Sequence, residues 1–220
     1  MLTPKRVETE ELLDEHDAPR EEMERSLRDL RRINFYCGGI RIYRSLLRKL
    51  VPGRERLRIL DVGTGTSDLL DSLDGDHLRI GLDFKIDHLL YLRDGSPVRR
   101  VVGDAHRLPF RDDAVDVVTS AHFFHHFSDD ENVGILRESL RIARRGVAVN
   151  DTRRHYAPLL FVLILGWLRV VGEITRFDAP ASVRRGYTLA EARAIVARVG
   201  AAKAKVVRAM PFRFGILLWK

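Results

Sequence analysis

The sequence has a single cysteine and no long hydrophobic segment. Because Cys37 stands alone among 220 residues, a disulfide framework and a zinc site built from several cysteines are both excluded. The longest uncharged apolar run covers residues 157–168. It is too short for a membrane-spanning helix, which needs about 20 residues. The first residues hold no apolar stretch of the kind found in secretory signals, so we expect a cytoplasmic protein with a reduced thiol.

Repeats and low-complexity tracts are also missing, and an apolar content of 45% excludes a disordered chain. The net charge of +7 is unevenly distributed. Residues 8–24 are strongly acidic, whereas residues 152–220 are strongly basic. Such a basic region attracts anionic partners, nucleic acid or a membrane surface, but we favour a solvated face of an arginine-rich protein.

The order of apolar patterns predicts an α/β fold. Helical spacing over 21–33 and 40–50 predicts an N-terminal helical cap, residues 1–53, before the main domain, residues 54–220. Short β-rich runs then alternate with helical stretches, most clearly 84–93, 130–144 and 188–200, which is typical of a doubly wound parallel sheet. The predicted strands are 57–62, 78–83, 99–104, 114–121, 146–151, 203–210 and 212–219. Because only Pro211 separates the last two, they should pair antiparallel.

Acidic residues end the first three predicted strands. Asp61 begins a glycine turn with Gly63 and Gly65, and Asp83 and Asp104 follow at intervals of about one strand and one helix. Ligands of open α/β sheets bind beyond the carboxyl ends of the strands, so these groups should meet in one crevice. An acid after the second strand commonly binds ribose, in a dinucleotide or in S-adenosylmethionine. Asp68 stands where a dinucleotide site has its third glycine, which argues against a pyrophosphate there.

Six motifs in this order resemble class I S-adenosylmethionine-dependent methyltransferases, especially the small-molecule branch that includes quinone and polyketide enzymes. The resemblance runs from about residue 55 to the end. The motifs are ILDVGTGTSDL at 59–69, GLDF at 81–84, GDAHRLPF at 103–110, VDVVTSAHFFHHF at 115–127, LRESLRIARRGVAVND at 136–151 and GYTLAEARAIVARVGA at 186–201. The resemblance implies a Rossmann-like, doubly wound, seven-stranded sheet, mostly parallel with an antiparallel C-terminal hairpin strand.

The resemblance also implies which residues bind the nucleoside of the cofactor, S-adenosylmethionine. Asp83 would bind the ribose hydroxyls, and Phe84 would pack on the adenine. Asp104 would accept a hydrogen bond from the adenine amino group, with the backbone of Ala105 beside it.

At the other end of the cofactor, the resemblance places Gly63 and Gly65 under the methionine part, and Asp61 near the amino group of that methionine. Ser120 and His122 would lie where the fourth strand opens towards the methyl group.

A histidine cluster follows the fourth strand and offers candidates for a general base, His122, His125 and His126. Histidine suits the removal of a proton from a phenol or an enol because its pKa lies near neutrality. Asp151 and His155 are second choices. We expect no metal site, because adjacent histidines should point in different directions and no carboxylate stands at ligand spacing with them.

The acceptor predicted from the sequence is a small, apolar, hydroxylated compound such as a phenol, a quinol or a polyketide-like molecule. The fourth-strand motif lacks the prolines typical of enzymes that methylate the amino groups of bases. The insertion over 152–180 is predicted to be helical, is rich in apolar residues and would roof the crevice with the N-terminal helices. Two alternatives for this insertion are burial against the sheet or in a homodimer interface, and peripheral membrane contact through residues 157–169.

Two other functions stay open. The basic C-terminal third is compatible with an RNA or protein methyltransferase, although no appended nucleic-acid module is visible and we expect no nucleic-acid partner. A non-catalytic protein that keeps the cofactor fold is the second alternative, and a nicotinamide oxidoreductase is a distant third.

Overall fold

The computed structural model describes residues 3–7, 9, 11–14, 19–53, 55–91 and 95–220. It contains one seven-stranded sheet in the order β3-β2-β1-β4-β5-β7-β6. Six strands run in the same direction, and β7 runs opposite to them. The α/β class and the antiparallel C-terminal hairpin strand are therefore confirmed. The strands are β1 (Arg58–Val62), β2 (Leu78–Asp83), β3 (Arg99–Val102), β4 (Val115–Ala121), β5 (Ala143–Thr152), β6 (Lys203–Ala209) and β7 (Arg213–Trp219).

Eight α-helices surround this sheet in the described part of the chain. They are α1 (Arg20–Tyr36), α2 (Gly39–Leu50), α3 (Asp68–Asp71), α4 (Ile86–Leu90), α5 (Asp129–Ile142), α6 (Tyr156–Trp167), α7 (Glu173–Arg185) and α8 (Leu189–Ala197). The sequence did not predict α3, and of α7 it predicted only the part inside the helical insertion over 152–180. Residues 92 and 93 of the helix predicted over 84–93 lie outside the described residues.

The sheet is covered on both faces, as expected for parallel strands. Helices α5 and α8 cover one face, and each begins with the reciprocal capping box that fixes its first turn, Ser128 with Glu131 and Thr188 with Glu191. Helix α2 covers the other face with Tyr43 and buried leucines. Each such fully buried leucine stabilises the fold by about 1.5–3 kcal/mol. The division of the chain at residue 53 stays a prediction.

Helices α1 and α7 pack against each other through polar contacts. Asp29 accepts a hydrogen bond of 2.7 Å from the backbone N–H of Gly172, and the Thr175 hydroxyl donates to Ser26 Oγ at 3.1 Å. All four residues are buried, so each of these bonds satisfies groups that water does not reach. The pair of helices is thereby held beside the carboxyl ends of β1, β4 and β5.

Within the described residues, no helix is both long and apolar enough to cross a membrane. The apolar run predicted over 157–168 forms α6, which has 12 residues.

Candidate active site

A cavity of about 750 Å³ opens at the carboxyl ends of β1, β2 and β4. Its size falls in the range of roughly 300–1,000 Å³ that is usual for small-molecule sites. Helix α1 contributes Leu27, Leu30 and Asn34 to its wall, and α7 contributes Ser182 and Arg185. No residue of α6 lines it, so the prediction that the apolar run roofs the crevice is wrong for that helix.

The glycine turn after β1 needs its first glycine for two reasons. Gly63 has a φ of +68°, a conformation that other residues adopt at a cost, and a Cβ there would lie 2.2 Å from the Phe123 ring. Gly65 also has a positive φ, but a Cβ there would meet open space. The turn thus brings bare backbone to the cavity wall.

Asp61 lies at the end of β1 with almost no solvent exposure. Burial raises the pKa of its carboxyl to about 6, although the hydroxyls of Thr119 and Thr64 lower it by hydrogen bonding. The Thr119 bond is 2.7 Å long. Among the described residues, no cation forms an ion pair with Asp61. This carboxylate is therefore disposed to receive a cation from a ligand.

Asp83 and Lys85 stand beside the glycine turn at the end of β2. The Asp83 carboxylate accepts hydrogen bonds from the backbone N–H of Gly65 at 2.9 Å and of Lys85 at 3.0 Å. Its side chain also lies 3.4 Å from the ring of His88. Phe84, the next residue, lines the cavity and is 70% exposed, so its ring is available to stack on a ligand.

Asp104 and Ala105 line the cavity after β3. One oxygen of Asp104 accepts a hydrogen bond from the backbone N–H of His106 at 2.9 Å. This bond, together with a second one to the His106 side chain, lowers the pKa of the Asp104 carboxyl. Ala105 is buried next to it. The four residues that the sequence predicts to bind the nucleoside therefore all line this cavity.

The three histidines after β4 all line the cavity but differ in their surroundings. Burial, followed by the charge of Arg213, holds the pKa of His122 well below its usual range. Its Nδ1 lies 3.2 Å from the hydroxyl of Thr152, and within the described residues its buried Nε2 has no partner. His122 is therefore neutral at physiological pH.

His125 lies between two carboxylates. Its Nδ1 is 2.7 Å from Asp151 and its Nε2 is 3.2 Å from Glu11. Burial alone would lower its pKa, but Asp151 and Glu11 outweigh that effect and raise it to about 10. Burial likewise raises the pKa of Asp151, yet His125 brings it down to about 2. His125 is thus a buried cation that already holds both of its protons.

His126 stacks on His125, with ring centroids 4.3 Å apart and an angle of 33° between the rings. Its Nε2 lies 4.0 Å from Glu11. The expectation that the adjacent rings diverge is therefore wrong. A carboxylate also stands within reach, because ligand atoms of Glu11, His125 and His126 lie within 4.8 Å of one another. Both arguments against a metal site fail, and the absence of a metal stays a prediction.

Four residues of this site were missed by sequence reasoning. They are Glu11, Asp178, Ser182 and Arg185. The Ser182 hydroxyl donates to Glu11 at 2.7 Å, which helps to fix the carboxylate beside the histidines. Asp178 accepts from the backbone N–H groups of Leu12 and Leu13 at 2.7 and 3.0 Å. No local pattern identifies these residues, because their partners are distant in sequence.

The second-choice candidates have structural roles. Asp151 is saturated by His125 and by nearby backbone N–H groups. His155 is the N-cap of α6, where its Nδ1 accepts from the backbone N–H of Ala157 at 3.1 Å. Ser120 is buried at the end of β4 and is not among the cavity-lining residues.

Arg213 is a buried cation behind the cavity wall. It donates to the side-chain oxygen of Asn34 at 3.0 Å, and the Asn34 amide donates to Asp68 at 3.2 Å. Burial lowers the pKa of Arg213 to about 10, although the charge of Asp151 acts against it. In the described part of the chain its Nη1 lacks a hydrogen-bond partner. This network supports the part of the wall next to the glycine turn.

Comparison with known proteins identifies the fold of this site. A family model described as a methyltransferase domain matches residues 60–149, from β1 to β5. Two solved structures superimpose on most of the chain. One is a SAM-dependent methyltransferase from Aquifex aeolicus, with 19% identity, a TM-score of 0.62 and coverage of 89% of this chain and 97% of that chain. The other, described as a SAM-dependent methyltransferase from Thermotoga maritima, has 15% identity, a TM-score of 0.63 and coverage of 91% and 99%. The chain therefore has the fold of the S-adenosylmethionine-dependent methyltransferases, and residues 60–149 match a methyltransferase domain.

Two curated relatives of this methyltransferase domain are named demethylmenaquinone methyltransferase. The protein of Thermotoga maritima is 41% identical over 135 residues, 55% of this chain and 57% of its own length. The protein of Roseiflexus sp. is 37% identical over 114 residues, 47% of this chain and 46% of its own length. The chain thus spans about half the length of the curated relatives it matches.

The cavity residues fit S-adenosylmethionine, the cofactor of this class. The buried Asp61 carboxylate lacks a cation and would hold the ammonium group of the methionine end. Asp83 and Asp104 would bind the ribose and the adenine, next to the accessible ring of Phe84. The bare backbone at Gly65, where a Cβ would meet open space, leaves room between these ends.

Proposed function

We propose that this methyltransferase domain transfers a methyl group to a small, apolar, hydroxylated ring compound of the phenol or quinol class. The observation that carries the proposal is the wall beyond the glycine turn, where apolar side chains enclose a histidine. Leu27 and Leu30 of α1 form one side, and Phe123 and Phe127 flank His126 on the other. The Phe123 and Phe127 rings pack edge to face, with centroids 4.7 Å apart. Such a wall favours an apolar ring with few polar groups.

The relatives support the quinol class by their names alone, which state demethylmenaquinone as what they methylate.

When bound, S-adenosylmethionine supplies a methyl group on a positively charged sulfur that is already electrophilic. The chain must therefore align the acceptor and accept its proton. Alignment alone contributes up to about 7–11 kcal/mol to such reactions, and a general base adds roughly 3–5 kcal/mol. The apolar wall supplies alignment by confining the ring of the acceptor.

Among the three histidines, His126 is best placed to accept the proton. His125 already holds two protons, and the surroundings of His122 disfavour its charged form. His126 is partly accessible from the cavity, and its Nε2 lies 4.0 Å from the carboxylate of Glu11. A ring nitrogen of His126 would receive the proton of the acceptor, and the Glu11 carboxylate stands beside that ring. The ring of His125, which is held by Asp151, stacks on the His126 ring and positions it.

The proposal is tested with purified protein, S-adenosylmethionine carrying a labelled methyl group, and three acceptors supplied separately. These are a reduced naphthoquinol without a ring methyl, a simple alkylated phenol, and total RNA. We expect label in the organic extract of the quinol or phenol reaction. Label in RNA alone would transfer the assignment to the RNA methyltransferase alternative, and binding of cofactor without any labelled product from these or protein acceptors would favour the non-catalytic alternative.

A further inference from the structure

Helix α6 exposes a continuous apolar stripe, which we call the outer stripe. Its members recur at helical spacing along one side of the helix and are all exposed: Tyr156, Leu160, Leu163, Ile164 and Trp167. The opposite side of the helix packs on the protein through Pro158, Leu159 and Gly166. The helix is therefore apolar all round while only one side is buried. A surface helix normally turns a polar side to water.

The outer stripe has no role in the site described above. It belongs to a helix that does not line the cavity. The inner residue Phe161 packs instead near Phe212, with ring centroids 5.6 Å apart. Exposed apolar patches of this kind mark contact surfaces, because exposing apolar surface to water costs free energy that a binding partner removes.

The ends of the outer stripe carry aromatic residues with a polar atom. Tyr156 begins the helix and is 51% exposed, and Trp167 ends it and is 80% exposed. They stand 11 positions apart, about 16 Å along the helix axis at 1.5 Å per residue. Tyrosine and tryptophan are the residues that prefer the headgroup level of a bilayer, and leucine and isoleucine lie between them here.

Basic residues flank the outer stripe at both ends. Arg169 and Arg176 are exposed near its C-terminal end, and the carbon stem of Arg176 runs beside Gly166, within 3.5 Å of a Cβ built there. At the N-terminal end, Arg153 lies close enough to Arg208 for their charges to repel, which together with burial lowers the pKa of Arg153. Between residues 153 and 176 the sequence has one acidic residue, Glu173. The excess of positive charge complements an anionic surface.

We propose that the outer stripe of α6 binds the surface of an anionic lipid bilayer. The helix lies in the plane of the interface, its leucines and Ile164 enter the acyl boundary, and the flanking arginines contact lipid phosphates. Both the apolar and the charged contacts are needed, since neither a single short helix nor a few arginines gives stable binding alone. This inference does not depend on the identity of the acceptor, because it concerns a surface outside the cavity.

The first experiment uses Trp167 as the reporter. The chain has two tryptophans, and Trp219 is half-buried in the hairpin with its ring N–H donating to the backbone of Leu50. The variant Trp219→Phe therefore leaves Trp167 as the sole tryptophan, excited selectively at a wavelength where tyrosine hardly absorbs, with circular dichroism as the check on folding. Vesicles of phosphatidylcholine with phosphatidylglycerol should shift its emission to shorter wavelengths, and lipids brominated on the acyl chain should quench it. An unchanged spectrum in a folded variant would overturn the proposal.

The second experiment separates the bilayer from other occupants. Leu163→Ser in the outer stripe should lower partitioning onto anionic vesicles by roughly tenfold, since the loss of a buried leucine side chain costs about 1.5 kcal/mol or more. The matched control, Leu90→Ser, changes an exposed leucine on α4, 61% exposed against 45% for Leu163, and should leave partitioning unchanged. Arg169→Glu with Arg176→Glu should abolish the preference for anionic over neutral vesicles.

Two results of these measurements would contradict the proposal. Equal partitioning of the wild type and of Leu163→Ser would remove the outer stripe from any bilayer contact. A stable dimer in light scattering that Leu163→Ser converts to monomers, with no binding of the wild type to vesicles, would assign the outer stripe to a second copy of the chain. Cofactor affinity measured by calorimetry should be the same in all these variants, because α6 is outside the cavity.

Discussion

The two halves of the cavity are built in different ways. The cofactor half takes its residues from the ends of successive strands, so each motif is continuous in the sequence. The acceptor half joins Glu11, the loop after β4, Asp151 and α7, which are separated by up to 171 residues between Glu11 and Ser182. The first half holds the buried Asp61 carboxylate, which forms no ion pair among the described residues, whereas the second already contains a saturated ion network. The difference indicates that the cofactor half is suited to bind a charged ligand, whereas the acceptor half is already organised without a ligand.

The largest expected effect concerns the acceptor half. His126→Gln should lower kcat by about 10²–10⁴-fold, because a general base contributes this much to proton removal. Calorimetry with S-adenosylhomocysteine should show the same cofactor affinity as the wild type. His122→Gln is the comparison variant, and a larger loss of kcat there than in His126→Gln would reassign the base to His122.

The ion network of the acceptor half is expected to matter for folding. Asp151→Asn leaves His125 buried with a single carboxylate, so the free energy of unfolding should fall by about 3–5 kcal/mol in urea denaturation. Asp112→Asn is the control, since Asp112 forms an exposed pair with Arg141 that contributes at most about 1 kcal/mol. Similar losses in both variants would show that burial of this network has little effect.

The pH dependence of stability follows from the same network. The pKa of His125 is raised to about 10, so its contribution is complete below its unfolded pKa near 6.5 and is lost as the pH rises through about 10. The pKa of Asp151 is lowered to about 2, so its contribution is complete above about 4 and is lost as the pH falls through about 2. In Asp151→Asn, the decline of stability from pH 7 to 10 should be shallower than in the wild type.

The cofactor half should respond in the opposite direction. The folded protein raises the pKa of Asp61 from 3.8 to about 6, so ionisation of this carboxyl destabilises the ligand-free protein by about 3 kcal/mol at pH 7. The stabilising contribution of the protonated form is complete below pH 4 and is lost as the pH rises through 6. Asp61→Asn should therefore stabilise the ligand-free protein at pH 7 and have little effect at pH 4, measured by thermal unfolding. A variant that is less stable at both pH values would contradict this.

The smallest expected effect concerns the ribose site. Asp83→Asn should weaken the binding of S-adenosylhomocysteine by about 1–3 kcal/mol in calorimetry, because the loss of one charged acceptor leaves hydrogen-bond partners unsatisfied. Asp87→Asn changes an exposed carboxylate that is not among the residues lining the cavity and serves as the control. Equal affinities in the two variants would remove Asp83 from the cofactor contacts.

Sequence reasoning predicted the cofactor half better than the acceptor half for a physical reason. Asp61, Asp83 and Asp104 end strands whose β-rich pattern is local, and parallel strands bring their carboxyl ends to one edge. All seven strands were predicted for the same reason. The functions of these side chains remain predictions until the variants above are measured.

The remaining parts depend on contacts that no local pattern contains. Glu11 reaches His125 across 114 positions, and its own segment has no periodic pattern. Helix α7 was not recognised as a separate helix, and its end was missed, because Pro180 lies within it and because it buries polar residues, among them Thr175 and Asp178. The orientation of α6 was also undetermined, since a helix that is apolar all round has no preferred buried side.

The short turn at Leu12–Asp14 has a consequence for the order of events in turnover. The carbonyl oxygen of Leu13 accepts from Nζ of Lys85, two residues after the ribose carboxylate, at 2.9 Å. The backbone N–H of the same residue donates to Asp178 on α7. One residue thus joins the wall predicted to bind the nucleoside to the helix beside the proposed acceptor site. Detachment of this turn would open both compartments together, so the demethylated cofactor and the methylated product would leave in one kinetic event.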